Sequence, residues 1–146
     1  MERRVVVRGV IYDDGKLFAV KHKYGPDKWA TPGGALDNTE GLEYGLKREL
    51  MEELGVEPVV GRLLFVQQFY HYGYNNERLE FFFLIENVED FNYVNLQKST
   101  HGEVEIAECR WVDPTKEKGL LPEFLQDESL RDYVENVRPV LVRSEF

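Results

Sequence analysis

Three glutamates, Glu49, Glu52 and Glu53, are spaced so that their side chains can converge on one side of a helix. At about 100° per residue, positions i, i+3 and i+4 fall within roughly a 100° arc. Carboxylates held this close repel one another, and a bound cation relieves the repulsion. Because clustered carboxylates suit hard cations, the spacing predicts a Mg²⁺ or Mn²⁺ site. The alternative is a solvated acidic helix face that binds nothing.

A helix predicted over about 37–54 must position these carboxylates. Leucines recur along it every four residues and predict a buried stripe beside the glutamates: Leu46, Leu50 and Leu54. Asp37 and Glu40 have capping-box spacing, which places the helix start at or soon after Asp37. Gly55 follows the last leucine, as a C-terminal glycine of a helix should.

Strands are predicted on both sides of this helix, in the segments 5–12, 16–23, 61–72, 78–85 and 105–112. The first two flank the hairpin signal Asp13-Asp14-Gly15, and Pro32-Gly33-Gly34 interrupts the regular structure before the helix. A long loop over 90–102 and a final helix over 123–137 complete the pattern. This order predicts an α/β sandwich around a mixed sheet, with 1–146 as a single domain.

The charge and composition narrow the classes of partner and compartment. The 146 residues include 18 Lys and Arg against 27 Asp and Glu, a formal net charge of −9. Duplex nucleic acid and anionic membrane surfaces both require a basic face, so neither is expected as a partner. The single cysteine, Cys109, excludes an internal disulfide and a multi-cysteine zinc site. No apolar run approaches the ~18 residues of a membrane span, so we expect a cytoplasmic protein.

The longer spacing around the glutamates resembles the signature of a known family. Gly34 is followed after five residues by Glu40, and after seven more by the run Arg48-Glu49-Leu50-Met51-Glu52-Glu53-Leu54-Gly55-Val56. This pattern resembles a complete Nudix box, and the preceding Trp29-x-x-Pro32-Gly33-Gly34 is also similar to members of that family. The chain therefore resembles a Nudix hydrolase. The resemblance implies a Nudix-type α/β/α sandwich whose Nudix helix follows the Pro-Gly-Gly loop.

The resemblance also implies an activity and a substrate class. Family members typically hydrolyse a nucleoside diphosphate linked to another moiety, and a nucleoside monophosphate commonly leaves. A divalent metal bridges phosphate oxygens, neutralises their charge and lowers the pKa of bound water. Such a metal also lets an acidic site hold an anionic substrate. The candidate substrates are nucleoside triphosphates, including oxidised ones, and dinucleoside polyphosphates.

Carried over by position, the family's motif assigns roles to the carboxylates and glycines. Glu52 and Glu53 are implied as the principal metal ligands, and Glu49 as a ligand or the general base. The carbonyl of Gly33 is implied as a backbone metal ligand, and Gly34 lets the chain turn into the helix.

The motif also implies positioning roles for Arg48 and Glu40. Arg48 is expected to orient a box carboxylate, as groups around a metal site do. The alternative for Arg48 is one solvent-exposed salt bridge, worth ~0–1 kcal/mol.

Four further residues are candidates on weaker signals. Many family members use an acidic residue ahead of the last strand, and here Glu105, then Glu103, have the best spacing to Trp111. Either is a candidate metal ligand or general base, or part of a polar strand face. Tyr72 and Tyr74 lie 16 and 18 residues beyond the box, a spacing associated in the family with diadenosine polyphosphate hydrolysis. The alternative for these tyrosines is an ordinary aromatic strand face.

Two other classes of protein compete with an enzyme. A Nudix-fold regulatory module would bind a nucleotide without cleaving it, and such modules usually have eroded box glutamates, whereas here all are intact. An acidic protein-interaction domain would require solvated glutamates and no metal dependence. The oligomeric state stays open between monomer and homodimer.

Overall fold

Ten strands, three α-helices and three 3₁₀ helices form the regular structure in this computed structural model, which describes residues 2–127 and 129–145. The strands are β1 (Glu2–Val10), β2 (Tyr12–Asp13), β3 (Lys16–His22), β4 (Trp29–Ala30), β5 (Gly33–Ala35), β6 (Val60–His71), β7 (Asn76–Ile85), β8 (Ile106–Val112), β9 (Leu120–Leu121) and β10 (Leu141–Ser144). The α-helices are α1 (Leu42–Leu54), α2 (Gly102–Glu105) and α3 (Ser129–Glu135). The 3₁₀ helices are Val88–Tyr93, Leu96–Lys98 and Glu123–Gln126.

The strands of the described ranges pair into two mixed five-stranded sheets. The first sheet has the order β10-β6-β7-β1-β5, with β10 parallel to β6, β7 parallel to β1, and the other pairs antiparallel. The second sheet contains β2, β3, β4 and β9 in that order, and β8 pairs with β3 outside this path. The predicted α/β class is confirmed, although the mixed strands form two sheets where one was expected.

The core lies on both faces of the first sheet. On one face, Leu46, Leu50 and Leu54 of α1 pack with a cluster that includes Val7 of β1 and Phe83 of β7. On the other face, a second cluster combines Val10, Phe65 and Phe82 of the first sheet with Leu17 and Trp29 of the second. All three leucines are at most 1% exposed, so the predicted buried stripe is confirmed. Each contributes about 1.5–3 kcal/mol through burial.

The start of the central helix differs from the prediction. Helix α1 begins at Leu42, and Gly41 precedes it with extended backbone and no side-chain cap. The Asp37 N–H donates to Glu40 Oε1 (3.1 Å), so the predicted capping pair closes a turn ahead of the helix. The predicted end is confirmed, because Gly55 adopts a left-handed φ of 71° and its N–H donates to Met51 O.

The C-terminal half also departs from the predicted elements. The predicted helix 123–137 is divided into a 3₁₀ helix and α3, and its position 128 lies outside the described residues. Asp127 Oδ1 accepts a hydrogen bond from the Ser129 N–H (3.0 Å) at the start of α3. The predicted loop 90–102 contains short helical turns, and Glu105 ends α2 where a strand start was expected. None of the helices in the described ranges is long and apolar enough to cross a membrane.

Candidate active site

Three of the four glutamates of α1, Glu49, Glu52 and Glu53, face one cavity. Their side chains are 14%, 29% and 4% exposed for Glu49, Glu52 and Glu53, respectively. The cavity has a volume of about 1100 Å³, and Gly33 and Gly34 line it together with all three glutamates. The helical spacing therefore brings the predicted carboxylates to one place, with Glu53 the most buried of them.

The two glycines allow β5 to pass close to its neighbours. Gly33 has a left-handed φ of 147°, and a Cβ there would overlap the carbonyl oxygen of Val7 on β1. A Cβ at Gly34 would lie 2.6 Å from the carboxyl carbon of Glu49. The absence of side chains at both positions is therefore what lets the Pro-Gly-Gly segment lie against the carboxylates.

Arg48 connects the glutamates of the motif. Its Nε and Nη2 donate to Glu40 Oε2 (2.6 Å) and Oε1 (2.9 Å), a bidentate pair. Its Nη1 lies 3.1 Å from Glu52 Oε2 and 3.2 Å from Glu49 Oε1. The hydrogen bond from Arg48 holds the pKa of Glu40 below its ordinary value. Arg48 Nε also lies 3.6 Å from Asp37 Oδ2, so one guanidinium contacts four carboxylates, which differs from an isolated surface salt bridge.

Glu49 and Glu53 are largely buried, and the surrounding residues provide them with few partners. Glu53 Oε2 is buried and accepts no hydrogen bond from the described residues. Glu53 Oε1 lies 3.9 Å from His22 Nε2. Burial, followed by the charge of Glu53, raises the pKa of Glu49 to about 7, and Arg48 opposes this shift. A buried carboxylate without a partner is costly, so the pair is suited to a cation.

The donor set fits a hard divalent cation. Carboxylate oxygens and a backbone carbonyl are ligands that Mg²⁺ and Mn²⁺ take, and the unpartnered oxygen of Glu53 supplies one of them. As placed, no three acidic, histidine or cysteine side chains in 2–127 and 129–145 already form a metal-binding group. Arg48 contacts both Glu49 and Glu52 through one nitrogen. These contacts use one oxygen of each carboxylate, Glu49 Oε1 and Glu52 Oε2, so the other oxygen of each can face a cation while Arg48 stays in contact.

Helix α2 brings one of the two later acids to the cavity. Its first turn rests on the end of α1, where the His101 N–H donates to the Glu52 carbonyl (2.7 Å) and His101 Nδ1 lies 3.3 Å from Glu52 Oε2. Glu105 lines the cavity with the box glutamates. Glu103 instead lines a separate, open depression of about 610 Å³ beside Val94.

The two candidate tyrosines occupy different environments on the β6–β7 turn. Tyr74 lines the cavity, and its ring packs against His71 (4.8 Å between ring centroids) and under the guanidinium of Arg78 (4.9 Å). Tyr72 is 88% exposed and does not line the cavity. The structure therefore places only Tyr74 near the other candidates.

One wall of the cavity is formed by the first sheet and was not predicted from the sequence. Gln67 of β6 and Glu80 of β7 line it, and Arg8 of β1 donates to Glu80 Oε2 (3.1 Å). No motif marks these residues. The available signal in each strand was one or two polar residues between apolar neighbours, where burial of a polar group needs a reason.

The chain belongs to the Nudix family. A family model described as NUDIX domain matches residues 2–133, which confirms the resemblance carried by the box. Two solved structures share the fold. The solution structure of the E. coli ORF135 protein has a TM-score of 0.69 at 22% identity and covers 95% of both chains. The crystal structure of UDP-X diphosphatase has a TM-score of 0.68 at 23% identity, over 97% of this chain and 68% of that one.

Curated relatives include nucleotide hydrolases. The 8-oxo-dGTP diphosphatase of Buchnera aphidicola subsp. Schizaphis graminum is 44% identical over 55 residues, 36% of this chain and 42% of that protein. Nucleoside triphosphatase NudI of Escherichia coli (strain SE11) is 26% identical over 121 residues, 78% of this chain and 84% of that protein. The chain spans about half the length of the first curated relatives it matches, from 37% to 55% in four of them.

Proposed function

We propose that the protein is a divalent-metal-dependent pyrophosphohydrolase that cleaves a nucleoside diphosphate linked to another group. The candidate substrates are nucleoside triphosphates, including oxidised ones, and dinucleoside polyphosphates, and a nucleoside monophosphate is the expected product. One observation carries the proposal: four carboxylates, those of Glu49, Glu52, Glu53 and Glu105, line one cavity of about 1100 Å³. The names of the curated relatives, 8-oxo-dGTP diphosphatase and nucleoside triphosphatase, support the same class.

The residues that would hold Mg²⁺ or Mn²⁺ are Glu52 and Glu53, with Glu49, Glu105 and the Gly33 carbonyl as further ligands. When bound, the ion neutralises phosphate charge and lowers the pKa of a coordinated water. Glu53 can serve without first breaking a hydrogen bond, because its buried Oε2 has none within the described part of the chain.

Other residues position these groups or move the proton. Arg48 is held by Glu40 and contacts Glu49 and Glu52, so it fixes the two carboxylates relative to each other. Either Glu49 or Glu105 acts as the general base that removes a proton from the attacking water. The pKa of Glu49 near 7 matches a base that works at neutral pH. Glu105 is exposed at the mouth of the same cavity.

A nucleotide panel tests this function directly. The purified protein is incubated with nucleoside triphosphates, an oxidised guanine nucleotide, diadenosine tetraphosphate and ADP-ribose, with Mg²⁺ or with chelator, and the products are quantified. We expect Mg²⁺-dependent release of a nucleoside monophosphate from at least one compound. Glu53→Gln should lower that rate by more than about a hundredfold, beyond the loss typical of groups outside the ligand set.

Glu43→Gln is the matched control, because Glu43 is an exposed glutamate of the same helix that does not line the cavity. Its rate should equal that of the wild type. Cleavage that survives both chelator and Glu53→Gln would contradict the metal site. Metal-dependent nucleotide binding with no cleavage of any compound would identify a regulatory module instead.

A further inference from the structure

A row of three polar side chains crosses the wall of the cavity that the first sheet forms. Arg143 of β10 is the register partner of Gln67 on β6, and Gln67 is the register partner of Glu80 on β7. All three residues line the cavity. Neighbouring strands lie about 4.8 Å apart, so a guanidinium, an amide and a carboxylate stand side by side in this order.

Gln67 and Glu80 are the buried residues of this row, and Gln67 has an acceptor atom without a donor among the described residues. Gln67 and Glu80 are each 5% exposed. Gln67 Nε2 donates to Glu145 Oε1 (3.5 Å), and Gln67 Oε1 is buried without any partner among the described residues. Turning the amide over would set its oxygen against the carboxylate of Glu145. The free atom is therefore the acceptor, and leaving it unpaired costs free energy.

Glu80 is held so that it also offers an acceptor. Arg8 Nε donates to Glu80 Oε2 (3.1 Å), while Arg8 Nη1 donates to the Thr31 carbonyl (3.2 Å). Within residues 2–127 and 129–145, Oε1 of Glu80 receives no hydrogen bond. The hydrogen bond from Arg8 orients the Glu80 carboxylate, and hydrogen bonds to a carboxylate are stronger than those between neutral groups.

Arg143 completes the row as a donor. Its guanidinium lies 4.9 Å from the ring centroid of Phe124 and forms no ion pair within the described part of the chain. Across the sheet, Arg143 is therefore a hydrogen-bond donor, and Gln67 and Glu80 beside it are acceptors. A ligand that satisfies the row must present an acceptor and two adjacent N–H donors in the complementary order.

We propose that this row reads the Watson–Crick edge of a guanine base. Guanine presents O6, N1–H and the 2-amino group in sequence, opposite Arg143, Gln67 and Glu80. Adenine, cytosine and uracil each offer at most one N–H-bearing atom on that edge and would leave a buried acceptor unpaired. A site whose polar groups are left unpaired rejects a ligand strongly. The inference rests on the proposed function for the nucleotide nature of the substrate, and it names the base.

Binding of nucleoside monophosphates tests the base preference. Calorimetry in Mg²⁺ compares GMP, IMP, AMP and CMP with the wild-type protein. These compounds contain no pyrophosphate bond, so the result does not depend on hydrolysis. We expect GMP to bind about tenfold more tightly than IMP, which lacks the 2-amino group, and more tightly still than AMP and CMP, as the loss of one or two buried hydrogen bonds requires.

Two variants test separately what Gln67 and Glu80 contribute to binding of the base. Gln67→Met removes the acceptor for N1–H and should weaken GMP and IMP by a similar factor, about tenfold. Glu80→Gln should instead narrow the difference between GMP and IMP. Gln68→Met is the matched control, because Gln68 is the next residue of β6, contacts Glu77 and does not line the cavity.

Equal binding of AMP or CMP and GMP, or no GMP binding at millimolar concentration, would overturn the proposal. A folded Gln67→Met that binds GMP like the wild type would also overturn it. The wild-type comparison of bases decides the question even if a variant fails to fold. Selective GMP binding without hydrolysis of any panel compound would leave this base-reading row standing while the proposed hydrolase activity fails.

Discussion

Arg48 contacts several carboxylates of the candidate site at once and so links their positions. It is held at one end by both oxygens of Glu40 and reaches Glu49 and Glu52 with Nη1. A planar guanidinium can make these contacts together, whereas a lysine ammonium is a single point charge. The arginine therefore does more than neutralise charge, because it sets where two of the carboxylates stand.

Replacing Arg48 by lysine should keep the charge but lose this geometry. We expect Arg48→Lys to lower the metal-dependent rate by about 10–100-fold, the range seen when partners of metal ligands are changed. The rate should recover in part at high Mg²⁺ concentration, because the defect lies in presenting the ligands. Steady-state rates across a Mg²⁺ titration measure this. Lys47→Arg, at the neighbouring position outside the cavity lining, should behave as wild type, and a wild-type rate in Arg48→Lys would contradict the positioning role.

Glu49 gives the metal-free protein a defined pH dependence. Because its pKa is raised from 4.5 to about 7 in the folded state, the folded state binds the proton more tightly than the unfolded state. Its contribution to the free energy of unfolding is therefore present at low pH and is lost as the pH rises through about 7. Glu49→Gln should gain stability relative to wild type between about pH 5 and pH 8, by up to about 3 kcal/mol.

Urea unfolding in chelator at the two pH values measures this gain, and Glu43→Gln serves as the control. A difference between wild type and Glu49→Gln that does not change with pH would show that Glu49 titrates normally.

Helix α1 is the element that its sequence predicts best, because one periodicity runs along it. The four-residue leucine repeat and Gly55 located the buried face and the end of α1. The start was wrong because Glu40 pairs with Arg48 and closes a turn with Asp37, contacts that a capping pattern does not reveal. The placement of Glu105 at the cavity similarly depends on α2 docking against the end of α1.

The uncapped start of α1 offers a prediction about stability. Gly41 has φ −74° and ψ 157°, the extended backbone of an N-cap residue, and a Cβ there would meet nothing within 4 Å. A serine hydroxyl at this position can accept a hydrogen bond from a free N–H of the first turn. Gly41→Ser should raise the free energy of unfolding by about 0.5 kcal/mol and leave turnover unchanged.

Thermal unfolding of the Gly41→Ser protein measures the effect, with an expected rise in Tm of about 1–2 °C. An unchanged or lower Tm would mean that the first turn is already satisfied by water.

At the scale of the molecule, the two-sheet architecture brings together residues that are distant in sequence. Several strands that complete the sheets have only two or three residues, such as β2, β4 and β9, and segments this short show no periodicity to predict them. Gln67, Glu80 and Arg143 meet only because of strand register. The motif thus predicted the acidic side of the cavity, while the sheet side required the fold.

The molecule has a formal net charge of −9, and a bound cation would reduce it. A cation that binds the folded protein and not the unfolded chain adds stability in proportion to the logarithm of its concentration over Kd. We propose that buried Glu53 and the carboxylates beside it form this cation site.

The most direct test is calorimetric titration of Mg²⁺, and in parallel Mn²⁺, into the chelator-treated protein, its Glu53→Gln variant and the Glu43→Gln control. We predict that wild type and Glu43→Gln bind with the same Kd, and that Glu53→Gln binds at least about tenfold more weakly. Equal affinity in all three proteins, or no binding by the wild type, would contradict the assignment of the metal site.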